Sequence, residues 1–120
     1  MPVGAEAGPR GTIYLDGESL SLEEIVWVAR TGAAAEISPK ALQRVEESRR
    51  VVEAFLRSGK AVYGVTTGFG KFSDVMISTE ETEYLQRNLI VSHACGVGEP
   101  LAPEIVRAVM LLRANALCKG

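Results

Sequence analysis

A chain of 120 residues suffices for one domain with a modest core, and 47% apolar with 23% charged residues is an ordinary globular balance that excludes wholesale disorder. Thirteen Lys and Arg against fifteen Asp and Glu leave a net charge of −2, which offers no basic surface to nucleic acid or to an anionic membrane. Two cysteines, Cys95 and Cys118, permit at most one bridge, so they read as reduced thiols of a soluble cytoplasmic protein. No cationic start followed by an apolar run marks a signal peptide, and Arg107 and Arg113 interrupt the best candidate for a membrane span.

Residues 1–11, rich in Gly, Ala and Pro, read as a disordered leader, with a domain over 12–120. Residues 12–15 have strand-forming composition, and Asp16-Gly17 after them is a hairpin-like turn signal. Ser21 and Glu24 form a capping box that opens a helix through Ile25, Val26, Trp27 and Val28, and Gly32 supplies a left-handed stop. Ser38-Pro39 opens a second helix that Gly59 ends. Its expected core stripe is Leu42, Val45, Val52, Phe55 and Leu56, with Arg44, Glu46, Glu47, Arg49, Arg50 and Glu53 on a solvated side. Residues 61–65 read as a short extended segment. A second capping box at Ser78 and Glu81 predicts a helix through Tyr84, Leu85, Leu89 and Val91 towards Gly96. Pro103 starts a last helix that runs to Lys119-Gly120.

At about 100° per residue, Glu104, Arg107, Asn115 and Lys119 share an arc of about 120° on that last helix. Ile105, Val106, Val109, Met110, Leu112 and Leu117 lie on the rest, joined by Arg113. So apolar a helix needs neighbours that a few short helices do not provide. The expectation is an obligate oligomer and also the front part of a larger helical protein.

The chain's chemistry centres on Tyr63-Gly64-Val65-Thr66-Thr67-Gly68-Phe69-Gly70. Glycines permit positive φ and close approach of a ligand, so the stretch reads as a hinged loop presenting a phenol to a pocket. The alternative is a tight turn at a strand exit with Tyr63 packed in the core. The glycine spacing is not the dinucleotide fingerprint, and no Gly-Lys-Ser/Thr follows for phosphate. A phenol ordinarily titrates near pH 10, so a base role needs groups that stabilise phenolate, for which loop amides, Thr66 and Thr67 are of the right kind.

His93 is the single histidine. Ser92 and His93 are adjacent on a helix and do not face each other as a nucleophile and base would. Only Asp16 and Asp74 are available to orient an imidazole, which speaks against a hydrolytic triad. No Cys-x-x-Cys spacing supports zinc, and no metal is expected. Taken alone, His93 reads as a buried or helix-end histidine.

The loop, with Leu85-Gln86-Arg87-Asn88-Leu89-Ile90-Val91-Ser92-His93-Ala94-Cys95-Gly96-Val97-Gly98 and Leu112-Arg113-Ala114-Asn115-Ala116-Leu117, resembles the N-terminal part of the aromatic amino acid ammonia-lyases. The resemblance runs from about Leu15 to the last residue. It implies a mainly α fold with a few short strands and a glycine-rich catalytic loop. It also implies a lyase acting as a tetramer on an amino acid, with Tyr63 as the essential loop tyrosine. The family's selectivity position falls on Ser92-His93, a pair similar to that of the histidine-specific members, which form trans-urocanate and ammonia. Tyrosine-specific members carry His-Leu there, and phenylalanine-specific members commonly Phe-Leu. Asn88 and Leu89, one helical turn earlier, would line the same pocket. The implied electrophile is a methylidene-imidazolone made from Ala-Ser-Gly, a tripeptide this sequence does not contain. The chain therefore reads as a segment ending before that region and inactive alone. Alternatives are a tyrosine or phenylalanine ammonia-lyase or aminomutase of the same family, or a non-catalytic binding or assembly module.

Overall fold

The computed structural model describes residues 11–72 and 74–120, so the leader expected over 1–11 lies, Gly11 apart, outside the described residues. Two units divide the chain: residues 11–48 with 100–120, and residues 49–99.

The first unit opens with a parallel β-α-β arrangement. Strand β1 (Ile13–Leu15) pairs in parallel with β2 (Ala35–Ile37), in the register Ile13 to Ala35, Tyr14 to Glu36 and Leu15 to Ile37. Helix α1 (Leu22–Thr31) is the crossover. The hairpin signal at Asp16-Gly17 is thus corrected. The Asp16 carboxylate accepts the Glu18 and Ser19 amides, each at 2.8 Å, and the Ser19 hydroxyl at 2.7 Å, which turns the chain into α1 instead of back along β1. The capping box forms as expected: the Ser21 amide donates to Glu24 Oε2 at 2.8 Å, and the Glu24 amide to Ser21 Oγ at 3.2 Å. Gly32, at φ +71, ends the helix and donates to the Val28 carbonyl.

Helix α2 (Pro39–Ser58) has Pro39 at its first position, and the Ser38 hydroxyl accepts the Ala41 amide at 3.2 Å. Its stripe is only partly inward. Ala41 is buried, and Val45, Val52 and Leu56 are half-buried, whereas Leu42 and Phe55 are exposed. Arg44, assigned by sequence to the solvated side, donates instead to the Asp16 and Cys118 carbonyls. It joins the turn after β1 to the end of the last helix.

That helix, α4 (Pro103–Leu117), stops short of Lys119. Two residues of its polar arc reach back to main-chain groups of this unit. Arg107 donates to the Ala29 carbonyl at 3.1 Å, and Asn115 Oδ1 accepts the Gly17 amide at 2.9 Å. Leu111 and Cys118, on the same side, join Ile13, Leu15, Val28 and Ala41 in the core. Ile105, Val106, Val109, Met110, Leu112 and Leu117 remain exposed.

In the second unit the expected strand over 61–65 is absent. The Val65 and Thr66 amides both donate to the Val62 carbonyl at 3.0 Å, a turn geometry that leaves no ladder to pair. A 3₁₀ turn (Gly70–Phe72) follows, then α3 (Thr79–His93), opened by its own box as the Glu81 amide donates to Ser78 Oγ at 3.2 Å. α3 ends at His93, before Gly96, and Tyr84 and Val91 of its expected stripe are exposed. Four α-helices and one two-stranded sheet among the described residues make the chain mainly α. None of these helices is long and apolar enough to cross a membrane.

Candidate functional site

The threonines form the frame of the glycine loop. Thr66 Oγ1 donates to the Lys60 carbonyl at 2.6 Å and accepts the Val62 amide at 2.8 Å. Thr67 Oγ1 donates to the Gly68 carbonyl at 3.1 Å and accepts the Gly64 amide at 3.4 Å. Both side chains are buried. Across the loop the Ile77 amide donates to the Thr66 carbonyl at 3.0 Å, the Gly68 amide to the Val75 carbonyl at 3.3 Å, and Thr67 bridges Met76. The hydroxyls are thus committed to backbone, as buried polar groups must be. They do not serve the phenol, so of the groups suggested for Tyr63 only a loop amide does. That amide is Gly70, which donates to the Tyr63 hydroxyl oxygen at 3.2 Å.

Tyr63 is not a core residue: it is 63% exposed. Left-handed freedom is used at Gly64 and Gly70, with φ of +70° and +55°. Gln86 Nε2, on α3, donates to the Gly64 carbonyl at 3.4 Å. Sequence reading did not assign Gln86 a role, because a glutamine aimed at a carbonyl 22 residues away leaves no local signal.

Asn88, Leu89, Ser92 and His93 occupy the last turns of α3, with Leu89 half-buried and the others exposed. Ser92 and His93 do approach, at 3.2 Å between Oγ and Nδ1. Both fold back onto one acceptor, the Leu89 carbonyl, with Ser92 Oγ donating at 2.9 Å and His93 Nδ1 at 2.7 Å. A carbonyl oxygen only accepts, so Nδ1 carries the proton and, in the neutral ring, Nε2 is left as an acceptor. A protonated Nδ1 cannot take the serine proton, which removes the pair as nucleophile and base. It is instead a presenting arrangement: Nδ1 is turned to the Leu89 carbonyl, and among the described residues Nε2 has no hydrogen-bond partner.

Gln86 ties α3 to the loop, while no hydrogen bond or ring contact among the described residues joins Tyr63 to Asn88, Leu89, Ser92 or His93. A concavity of about 170 Å³ on this unit is lined by Glu83, Tyr84 and Arg87 and contains none of them. Among the described residues no three His, Cys, Asp or Glu side chains gather as a metal would require. Both cysteines are free thiols, Cys95 exposed and Cys118 buried. The residues present do not fit the implied electrophile, since no Ala-Ser-Gly stands in the chain to form it.

The family model for aromatic amino acid lyase matches residues 20–120. A histidine ammonia-lyase from Alkaliphilus metalliredigens is 58% identical over 108 residues, which cover 90% of this chain and 21% of that protein. Among solved structures, histidine ammonia-lyase from Trypanosoma cruzi superposes with a TM-score of 0.81 at 41% identity, covering 91% of this chain and 21% of that one. Tyrosine aminomutase from Streptomyces globisporus superposes with a TM-score of 0.82 at 32% identity over the same shares. The chain spans about a fifth of the length of the curated relatives it matches.

Proposed function

Because the chain belongs to the aromatic amino acid lyase family, we propose that it is the amino-terminal part of a histidine ammonia-lyase, cleaving L-histidine into trans-urocanate and ammonia. The observation that carries this reading is the end of α3, where His93 spends its Nδ1 proton on Leu89 and offers Nε2 as an acceptor beside Ser92. An acceptor so placed suits the ring N–H of a substrate imidazole, a donor that a phenyl ring lacks. Asn88 and Leu89 line the same pocket. Tyr63 is the proton-transfer group on its loop, framed by Gly64, Thr66, Thr67, Gly68, Phe69 and Gly70.

Fold likeness does not separate a lyase from an aminomutase, since the two solved relatives superpose equally well. The Ser92-His93 pair and the 58% identity to a histidine enzyme favour the histidine reading. The electrophile, made from Ala-Ser-Gly in the family, comes from sequence outside these 120 residues, so the chain by itself is inactive. The enzyme works in the cytoplasm, consistent with two free thiols, and as a homo-oligomer, a tetramer as in the family, which covers the outward arc of α4.

The test is absorbance at the urocanate band after addition of L-histidine. It is run on this chain alone, and on the chain joined to the remainder of the Alkaliphilus enzyme in place of that enzyme's own matching segment. Urocanate from the joined protein only is the expected result. A joined protein that ignores histidine and converts tyrosine would overturn the histidine assignment, and turnover by the chain alone would overturn the need for the missing electrophile.

A further inference from the structure

The Tyr63 phenol is exposed, yet its own loop restrains it at two points. The ring meets Phe69 edge to face, with centroids 5.8 Å apart and planes at 78°. Its oxygen accepts the Gly70 amide at 3.2 Å. The Phe69 ring in turn rests against Gly64, where an added Cβ would stand 2.9 Å from Phe69 Cε1 and 3.3 Å from Cζ. Phe69 thus sits in a notch that only glycine leaves open, at a residue whose φ of +70° also disfavours any side chain.

Phe69 is not part of the buried core. It is 37% exposed, and the buried apolar core, with Ile13, Leu15, Val28, Ala41, Leu111 and Cys118, belongs to the first unit. An aromatic ring held half in water, against one tyrosine, inside a loop whose middle is already clamped by Thr66 and Thr67, acts on that tyrosine.

We infer that Phe69 is the positioning residue for Tyr63, with Gly64 as the notch that admits its ring and the Gly70 amide as the hold on the phenol oxygen. The inference rests on the proposed proton-transfer role of Tyr63. An oxygen that accepts an amide keeps its own O–H free for a second partner, and the edge-to-face contact limits where that O–H can point. Removing the contact leaves the phenol in place chemically but lets it swing, and proton transfer tolerates displacements of well under about 1 Å.

Two measurements test this. In the 120-residue chain, amide hydrogen exchange at Gly70 reports the hold directly. Tyr63→Phe removes the acceptor and Phe69→Leu loosens it, so both are expected to speed exchange at Gly70 while leaving Ile77 unchanged. Slow exchange at Gly70 in Phe69→Leu overturns the positioning role. In the joined enzyme, Phe69→Leu is expected to lower kcat by roughly tenfold or more with KM changed less than about twofold, and Phe69→Tyr, which restores an edge, to recover most of it. Phe69→Leu combined with Tyr63→Phe is expected to be no slower than Tyr63→Phe alone. If Tyr63→Phe abolishes turnover while Phe69→Leu does not touch kcat, the positioning inference falls and the role of Tyr63 stands. If Tyr63→Phe turns over normally, the role of Tyr63 falls and the inference falls with it.

Discussion

In sequence Asp16 is half of a turn signal, and in the structure it is the acceptor that makes the turn. The Ser19 amide, the Ser19 hydroxyl and the Glu18 amide, in that order, hold its carboxyl down from 3.8 to about 2. A carboxylate favoured in the folded state lends stability that is complete above the unfolded value and is lost as pH falls through the folded one. Thermal melts of the chain should therefore decline as pH is lowered from about 4 to about 2. Asp16→Asn should start less stable at neutral pH and decline less. Parallel curves for the two proteins would show that the turn contributes nothing through its charge. The selectivity pair is the second residue-scale case. Exchanging Ser92-His93 for His-Leu removes the Nε2 acceptor, so in the joined enzyme kcat/KM for histidine should fall and that for tyrosine rise, by at least about tenfold in their ratio. An unchanged ratio would take these two residues out of the specificity argument.

At the scale of elements, what could be read in advance is what closes over short distances. Both capping boxes, at Ser21 with Glu24 and at Ser78 with Glu81, were legible because donor and acceptor lie three residues apart. Pro39, Pro103 and Gly32 set helix limits by their own backbone restrictions for the same reason. Strand β2 was not legible, since Ala-Glu-Ile carries no strand pattern and exists because β1 offers it a ladder across the α1 crossover. The solvated side assigned to α2 and the inward partners of α4 escaped the sequence for one cause. Arg44, Arg107 and Asn115 look like solvated residues in a periodicity count, yet each meets a main-chain group far along the chain, at Asp16 and Cys118, at Ala29, and at Gly17. Periodicity sees polarity and not partners. The loop showed the same limit: its glycines announced it, but that Thr66 and Thr67 face the backbone and Gly70 the phenol required coordinates.

The inward contacts of α4 make a prediction of their own. Asn115→Ala leaves the Gly17 amide without its partner and should cost about 1–3 kcal/mol in urea unfolding. Met110→Ala, on the outward arc, should cost under about 0.5 kcal/mol. A ranking in the other order would show that the outward arc of α4, and not its polar contacts, holds the helix in place.

At the scale of the whole molecule, apolar burial is concentrated in one of the two units. Every buried hydrophobic side chain among the described residues belongs to the first unit, whereas in the second the buried side chains are Thr66, Thr67 and Thr82. The proposed catalytic and selectivity groups thus stand on the unit whose apolar side chains, among the described residues, are at most half-buried. The first unit in turn carries the outward arc of α4, with Val109 58% and Met110 66% exposed. Contiguous apolar surface of this kind is covered in stable proteins. In the proposed enzyme that cover comes from the rest of the subunit and its copies.

The 120-residue chain in isolation has only other copies of itself to offer. It should therefore self-associate as concentration rises, seen as an increase in weight-average mass by sedimentation. Met110→Lys with Leu117→Lys should lower that mass towards 12.9 kDa while leaving the inward contacts of Arg107 and Asn115, and hence the helical signal, in place. The same pair placed in the joined enzyme should weaken assembly and activity together, because a charge cannot be buried there without a partner. A chain that stays monomeric at high concentration would show that the α4 arc is tolerated in water, and the argument for a larger covering structure would then rest on the family's length alone.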